Sequence, residues 1–130
     1  MKIFNGTQHQ INLYSINDCY EVQGGRKLVV QQDAKPVLVI ESGTNLNAVK
    51  GNAPLPDIFS TSELPLVGAV VFTGYDALPE GFDLYIVSNL YRSAVKELGG
   101  STEKLATVNG VVYDDKDAVK PCGCTSLAVG

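Results

Sequence analysis

Three residues near the middle of the chain have the types and spacing of a phosphate site. In the stretch DLYIVSNLYRSAVKELGG, residues 83–100, a strand-like pattern gives way to a helix-like one, and Ser88 or Asn89 is suited to cap the helix. Arg92 then falls in the first helical turn, where the helix dipole disfavours a cation by roughly 0.3–1 kcal/mol. A bound phosphate would reverse this penalty, because free N–H groups at a helix start and a guanidinium together hold an oxyanion.

Aromatic residues close by in sequence could complete such a pocket. Phe82, Tyr85 and Tyr91 could each offer a face on which a nucleobase stacks. Arg26, which follows a Gly-Gly turn, is a second candidate cation. The alternatives stay open, because the aromatic rings could belong to the core and Arg92 could pair with an acid instead. The acids within reach in the sequence are Asp83, Glu97 and Asp114.

Residues suited to catalysis or to metal binding are few. The chain has no phosphate loop of the recognised kinds and no hydrolase or metalloprotease motif, and His9 is its only histidine. His9 could join Cys19, Cys122 and Cys124 in a zinc site, and the acids of residues 114–117 could hold a divalent cation. The spacing of these residues supports neither the zinc site nor the cation site, and we interpret the cysteines as reduced thiols. We expect no catalytic residue, no metal site and no cofactor.

The composition favours a folded, acidic protein. The 130 residues are 45% hydrophobic and 18% charged, which predicts one domain over residues 1–130. The net charge of −4 argues against binding to nucleic-acid polymers or to anionic membranes, although a small anion in a local pocket remains possible. No apolar run is long enough to span a membrane and the start lacks the features of a leader. We therefore expect a cytoplasmic protein.

The sequence pattern around these residues predicts an α+β fold, in which a single small domain contains a mostly antiparallel sheet. One helix is expected at about 89–98, ended by the glycines at 99 and 100. Its predicted buried face consists of Leu90, Ala94, Val95 and Leu98. A short second helix is expected near STEK, residues 101–104.

Turn and strand patterns complete the predicted domain. Gly-Gly at 24–25 and Asn-Gly at 109–110 each predict a β-hairpin, because these residues accept positive φ angles. The runs KPVLVIES and PLVGAVVFTGY, residues 35–42 and 65–75, predict a buried strand and a central strand. Residues 44–64 predict a long ordered loop, which is either functional or a subunit contact.

Three pieces of the chain together resemble small phage and prophage proteins. The opening NGTQHQINLY resembles a start of the form N-x-T-P-H-x-I-x-I-Y, and ALPEGFDLYIVSNLYRSAV resembles a centre of the form LPEP…YIVS-x-L-x-x-x-A. The tail VVYDD…PCGCTSL resembles an acidic turn followed by a Gly-Cys segment. Within that group the chain is most similar to the first Thoeris anti-defence family, whose members sequester cyclic ADP-ribose isomers.

The resemblance implies a sponge that binds cyclic nucleotide signals without cleaving them, in the cytoplasm of the infected bacterial host. It implies a homo-oligomer, dimer or hexamer, with cyclic ADP-ribose isomers or CBASS cyclic oligonucleotides as ligands. Phe82 would stack on the ligand, Asn89 would contact the nucleoside and Arg92 the phosphates. Two features depart from the family pattern: Gln8 stands where proline is expected, and no arginine follows Arg92.

Two other classes of function stay open. A structural or assembly protein of a phage or prophage would use its apolar strands and residues 44–64 as subunit contacts. A hydrolase of the same signals would have to use His9 or the acids of residues 114–117.

Overall fold

A computed structural model of the protein describes residues 1–22, 27–115 and 117–130, with the backbone alone for residues 117–119. In these residues the chain forms ten strands, one α-helix and two short 3-10 helices. The strands are β1 (Ile3–Asn5), β2 (Ile11–Leu13), β3 (Cys19–Glu21), β4 (Leu28–Val30), β5 (Leu38–Ile40), β6 (Ala48–Asn52), β7 (Val70–Tyr75), β8 (Leu84–Ile86), β9 (Leu105–Asp114) and β10 (Asp117–Val129). The helix α1 is Asn89–Glu97, and the 3-10 helices are Ile16–Asp18 and Asp57–Phe59.

Eight strands form one mixed sheet in the order β1-β8-β9-β10-β2-β5, and β4 joins it beside β9 with β3 as its outer neighbour. The pairs β1–β8, β8–β9, β4–β9 and β2–β10 are parallel, whereas β9–β10, β2–β5 and β3–β4 are antiparallel. The strands and helices of the described residues make up 40% and 12% of the chain. The predicted α+β class with a mostly antiparallel sheet is therefore wrong, because the fold is mostly β and its sheet is mixed.

The parallel pairing of β8 and β9 follows from the helix between them. Parallel neighbours need a crossover connection, and α1 provides it, so residues 84–114 form a β-α-β unit. The predicted helix is confirmed, and Ser88 is its N-cap, with Oγ accepting from the Tyr91 N–H at 3.1 Å. No helix of the described residues is long and apolar enough to cross a membrane.

The buried face of α1 is rotated from the predicted one. Tyr91, Ala94 and Val95 are buried, whereas Leu90 and Leu98 are 55% and 45% exposed. Positions 91, 94 and 95 share one face at the helical period, and the Tyr91 ring packs there in a cluster with β8 and β9. The aromatic ring fixes the rotation of the helix because it fills more of the core than a leucine.

Asn5 links the two outer strands, so that the sheet nearly closes. The side chain is 2% exposed. Its Nδ2 donates to the carbonyls of His9 and Ile40 at 2.8 and 3.2 Å. Its Oδ1 accepts from the N–H and Oγ1 of Thr7, and its carbonyl accepts from the Gly43 N–H at 2.9 Å. The side-chain amide therefore joins β1 to the end of β5, and the backbone carbonyl of the same residue joins β1 to the segment that follows.

Two of the predicted local structures are wrong and one is confirmed. Asn109-Gly110 lies inside β9 rather than at a turn, and the β9–β10 hairpin turns after Asp114. Residues 101–104 form no helix and lead directly into β9. The hairpin predicted around residues 24–25 is confirmed by the antiparallel register of β3 and β4, although its turn lies outside the described residues.

Residues 48–75, which we call the arm, stand apart from the main sheet. Strands β6 and β7 pair with each other in a separate two-stranded sheet, and α1 packs against its base through the Tyr75 and Tyr91 rings, 5.7 Å apart. The prediction of a central strand at residues 65–75 is thus wrong, because Val70 is 68% exposed. The strand predicted at 35–42 is likewise a partly exposed edge strand, β5. Part of the predicted loop at 44–64 is β6.

Candidate functional site

A groove of about 360 Å³ opens where three segments of the chain meet. One segment, residues 7–9, follows β1, and a second, residues 45–50, leads into and along β6. The third contributes Ser88 and Leu90 at the start of α1. The volume lies within the usual range of about 300–1,000 Å³ for small-molecule sites.

The topology of the sheet explains the position of the groove. Strands β1 and β8 are parallel, so their carboxyl ends lie at the same edge of the sheet. The residues that follow these two ends form two walls of the groove, and the N-terminus of α1 points into the same region. In open parallel sheets ligands bind at this edge, outside the carboxyl ends of the strands, and the β1–β8 pair reproduces that arrangement locally within the mixed sheet.

The groove is electrostatically suited to an anion. The first turn of α1 carries no acidic residue. The Ser88 hydroxyl caps only the Tyr91 N–H, and the N–H groups of Asn89 and Leu90 have no acceptor within a helix that begins there. Lys50 and His9 line the groove, and none of the lining side chains within the described residues is acidic.

The predicted site residues occupy different places around this groove. Ser88 lines it, and Asn89 is the exposed residue that follows. Arg92 is half-buried outside the lining, and its Nε donates to the Gly130 carbonyl oxygen at 2.5 Å. The guanidinium of Arg92 therefore joins the helix to the end of β10. None of the three acids considered as its partner takes that position.

The predicted aromatic residues lie inside the packing of the domain. Phe82 is half-buried against Phe4 and Tyr85, with ring centroids 5.1 and 5.9 Å away, and β8 separates it from Ser88. Tyr91 is fully buried, and its hydroxyl donates to the Asp76 carbonyl at 2.5 Å. These rings are packed in the core cluster, whereas Arg26 lies outside the described residues.

No protein-family model, no curated protein and no solved structure matches the chain.

The cysteines do not assemble the zinc site considered from the sequence. Within residues 1–22, 27–115 and 117–130, no group of three or more histidine, cysteine or acidic side chains is placed to hold a metal ion. Cys124 is buried against Ile11 and Ile86, while Cys19 and Cys122 are half-buried. Burial raises the pKa of each of these three thiols, which keeps them protonated and weakens them as ligands.

Several lining residues were missed by the sequence analysis. Lys50, Asn45, Asn47 and Thr7 line the groove, yet they lie on separate segments without a local motif. Only the unusual length of the predicted 44–64 loop pointed to this part of the chain, because long ordered loops in small domains are often functional.

Proposed function

We propose that the protein binds a small anionic nucleotide in this groove and holds it without cleaving it. The observation that supports this proposal most directly is that Lys50, His9 and the N-terminus of α1 lie in one groove. None of the described residues that line this groove is acidic. A phosphate group would take the N–H groups of the first turn and a charge-assisted hydrogen bond from Lys50. Asn45 and Asn47 would supply amides for a ribose or a base edge.

The same lining supports binding rather than turnover. A histidine that acts as a general base is normally oriented by a third group, and a divalent cation needs carboxylate oxygens. His9 is exposed, and the described residues that line the groove with it include no carboxylate. The described lining of the groove therefore supports the proposal of a binding site more than that of a hydrolase built around His9.

The biological setting is part of the proposal. In it, the nucleotide is a cyclic immune signal, a cyclic ADP-ribose isomer or a CBASS cyclic oligonucleotide, and the protein acts as a phage-encoded sponge in the bacterial host. The resemblance in the segments around residues 5–14 and 77–95 supports this setting. Both segments contribute residues to the lining of the groove, namely Thr7 and His9 from the first and Ser88 from the second.

The proposal is tested by calorimetric titration with a panel of cyclic ADP-ribose isomers and cyclic di- and trinucleotides. Lys50→Ala is expected to weaken binding by about 1.5–3 kcal/mol, the contribution of a hydrogen bond to a charged group. Lys35→Ala, at a lysine that is also exposed but lies outside the groove lining, is the matched control and is expected to leave the affinity unchanged.

The Arg92→Ala variant distinguishes binding in the groove from binding at the site predicted from the sequence. Retention of binding in Arg92→Ala together with loss in Lys50→Ala would place the phosphate in the groove. Equal affinities for Lys50→Ala and the wild type, or no binding by the wild type to any panel member, would contradict the proposal.

A second candidate function, an assembly protein of a phage or prophage, is favoured by the exposed apolar side chains of the arm. Such a protein would form a defined oligomer and be indifferent to every nucleotide of the panel.

A further inference from the structure

The arm exposes large apolar side chains to solvent along most of its length. Ile58 and Val67, near its tip, are 80% and 79% exposed. Six more exposed apolar residues of the arm are Val49, Phe59, Leu64, Leu66, Val70 and Val71. Monomeric soluble proteins rarely expose apolar groups in one continuous region, and such regions mark interaction surfaces.

The chain exposes more surface than an average compact monomer of its mass. The chain exposes 8879 Å². A monomeric protein of 13.9 kDa is expected to expose about 6,700 Å², so the excess is about 2,200 Å². Permanent homodimers bury roughly 2,000–5,000 Å² in total, shared by the two subunits. The excess therefore lies within the roughly 1,000–2,500 Å² that one subunit contributes to such an interface.

We infer that the arm is the contact surface between copies of this chain. A two-stranded ribbon is only marginally stable in water by itself, and in the described residues β6 and β7 pair with no other strand. A second copy would cover the ribbon and its tip in one step. The inference goes beyond the proposed function and does not depend on any ligand.

The tip of the arm also has the shape that a self-contact needs. Leu55, Phe59, Leu66 and Val67 contribute to the lining of an open apolar hollow of about 410 Å³. Ile58, beside it in sequence, is an exposed side chain of the kind that fills such a hollow. In a symmetric dimer the same patch meets itself, so each copy offers both the hollow and the side chain.

The charge of the arm argues against a membrane as the occupant. Its described acids are Asp57 and Glu63, and its described cation is Lys50 at the base. A surface that docks on anionic lipid needs a cluster of basic residues beside its apolar groups. A contact between two copies of the arm, by contrast, needs no basic residues, because it would be stabilised by the burial of apolar surface.

The test is sedimentation velocity of the ligand-free protein over a hundredfold range of concentration. The wild type is expected to sediment as a dimer or a larger closed oligomer. Val67→Asp combined with Ile58→Asp is expected to raise the dissociation constant by at least about a hundredfold, because each charge would be buried unpaired in the interface. Val37→Asp, at a valine that is 69% exposed outside the arm, is the matched control and is expected to leave the oligomer intact.

A monomeric wild type would overturn the inference that the arm joins copies of this chain. Equal dissociation by the arm variant and by Val37→Asp would also overturn it. Hydrogen exchange of the wild type at high and low concentration gives a second measurement that does not rely on a variant. Amides of residues 48–75 are expected to exchange more slowly at high concentration, and exchange independent of concentration would contradict the inference.

Discussion

At the scale of single residues, Asn5 shows how one polar side chain can close a sheet. Its amide makes hydrogen bonds in both directions, to the carbonyls of His9 and Ile40 and from Thr7. All of these groups lie around a side chain that is almost fully buried. A buried amide of this kind stabilises the fold mainly because its removal would leave its partners unpaired.

Asn5→Ala is expected to lower the free energy of unfolding by about 1–3 kcal/mol, because partly buried carbonyl and N–H groups lose their partners. Chemical denaturation of the variant and the wild type measures the difference. Asn17→Ala, at an exposed asparagine, is the control and is expected to change stability little. Equal losses in the two variants would contradict the closing role of Asn5.

Tyr91 gives the domain a stability limit at alkaline pH. Burial raises the pKa of its phenol to about 12, and Tyr75 and Asp76 add to the rise. The unfolded phenol titrates near 10, so above about pH 10 the unfolded chain loses this proton before the folded one does. The folded state therefore loses stability as the pH rises from about 10 to about 12, by at most about 2–3 kcal/mol.

Tyr91→Phe is expected to be less stable than the wild type at neutral pH, because the hydrogen bond to the Asp76 carbonyl is lost. Its stability is also expected to fall less steeply than that of the wild type between pH 10 and pH 12. Denaturation curves across this range measure both effects. Tyr20→Phe, at an exposed tyrosine, is the control, and an unchanged alkaline slope in Tyr91→Phe would refute the account.

At the scale of elements, local patterns predicted well only what local forces decide. The bounds of α1 followed from its N-cap Ser88 and the glycines after it, since capping acts within a few residues. The buried face of the helix did not follow, because it depends on the fit of the Tyr91 ring against strands elsewhere in the chain. The pairing of β1 with β8 joins residues about 80 positions apart, and no local pattern specifies it.

Gly110 shows why the Asn-Gly prediction failed although its physical basis holds. Asn-Gly predicts a turn because both residues accept positive φ, and Gly110 does adopt a φ of +65°. The long antiparallel register with β10 nevertheless continues through this position. Pairing along β9 thus outweighed the local turn preference, and the hairpin turns after Asp114 instead.

Gly110→Ala and Gly99→Ala form a matched pair, because both glycines have positive φ. Gly99→Ala introduces backbone strain alone, since a Cβ there meets no atom within 4 Å, and is expected to destabilise by about 1–2 kcal/mol. A Cβ at Gly110 would also collide with Thr125 Oγ1, so Gly110→Ala is expected to lose about 1–3 kcal/mol more. Thermal unfolding compares them, and equal losses would mean that Thr125 moves aside freely.

At the scale of the whole molecule, an acidic chain carries one groove that suits an anion. We expect the net charge of −4 to disfavour the approach of nucleic-acid polymers at long range. The helix terminus, Lys50 and His9 act only over the few ångströms of the groove. This combination favours a compact nucleotide over a polymer, because only a small ligand can enter the groove without facing the acidic surface.

The candidate site was only partly predictable from the sequence, because part of its lining comes from segments that are distant from α1 in the chain. The cap at Ser88 and the idea of an anion at the start of α1 came from residues adjacent in sequence. Lys50 and residues 7–9 reach the groove only through the pairing of β1 with β8 and the position of the arm base. Arg92, the residue that prompted the hypothesis, has its Nε bonded to Gly130 instead.

The central claim, that the protein holds a cyclic nucleotide without cleaving it, is tested most directly by recovery of the ligand. The wild type would be incubated with the nucleotide panel, desalted and denatured by heat, and the released molecules would be identified by mass spectrometry. We predict that one panel member returns intact and in stoichiometric amount, and that Lys50→Ala returns much less of it. Recovery of cleaved products, or of nothing from any panel member, would contradict the account.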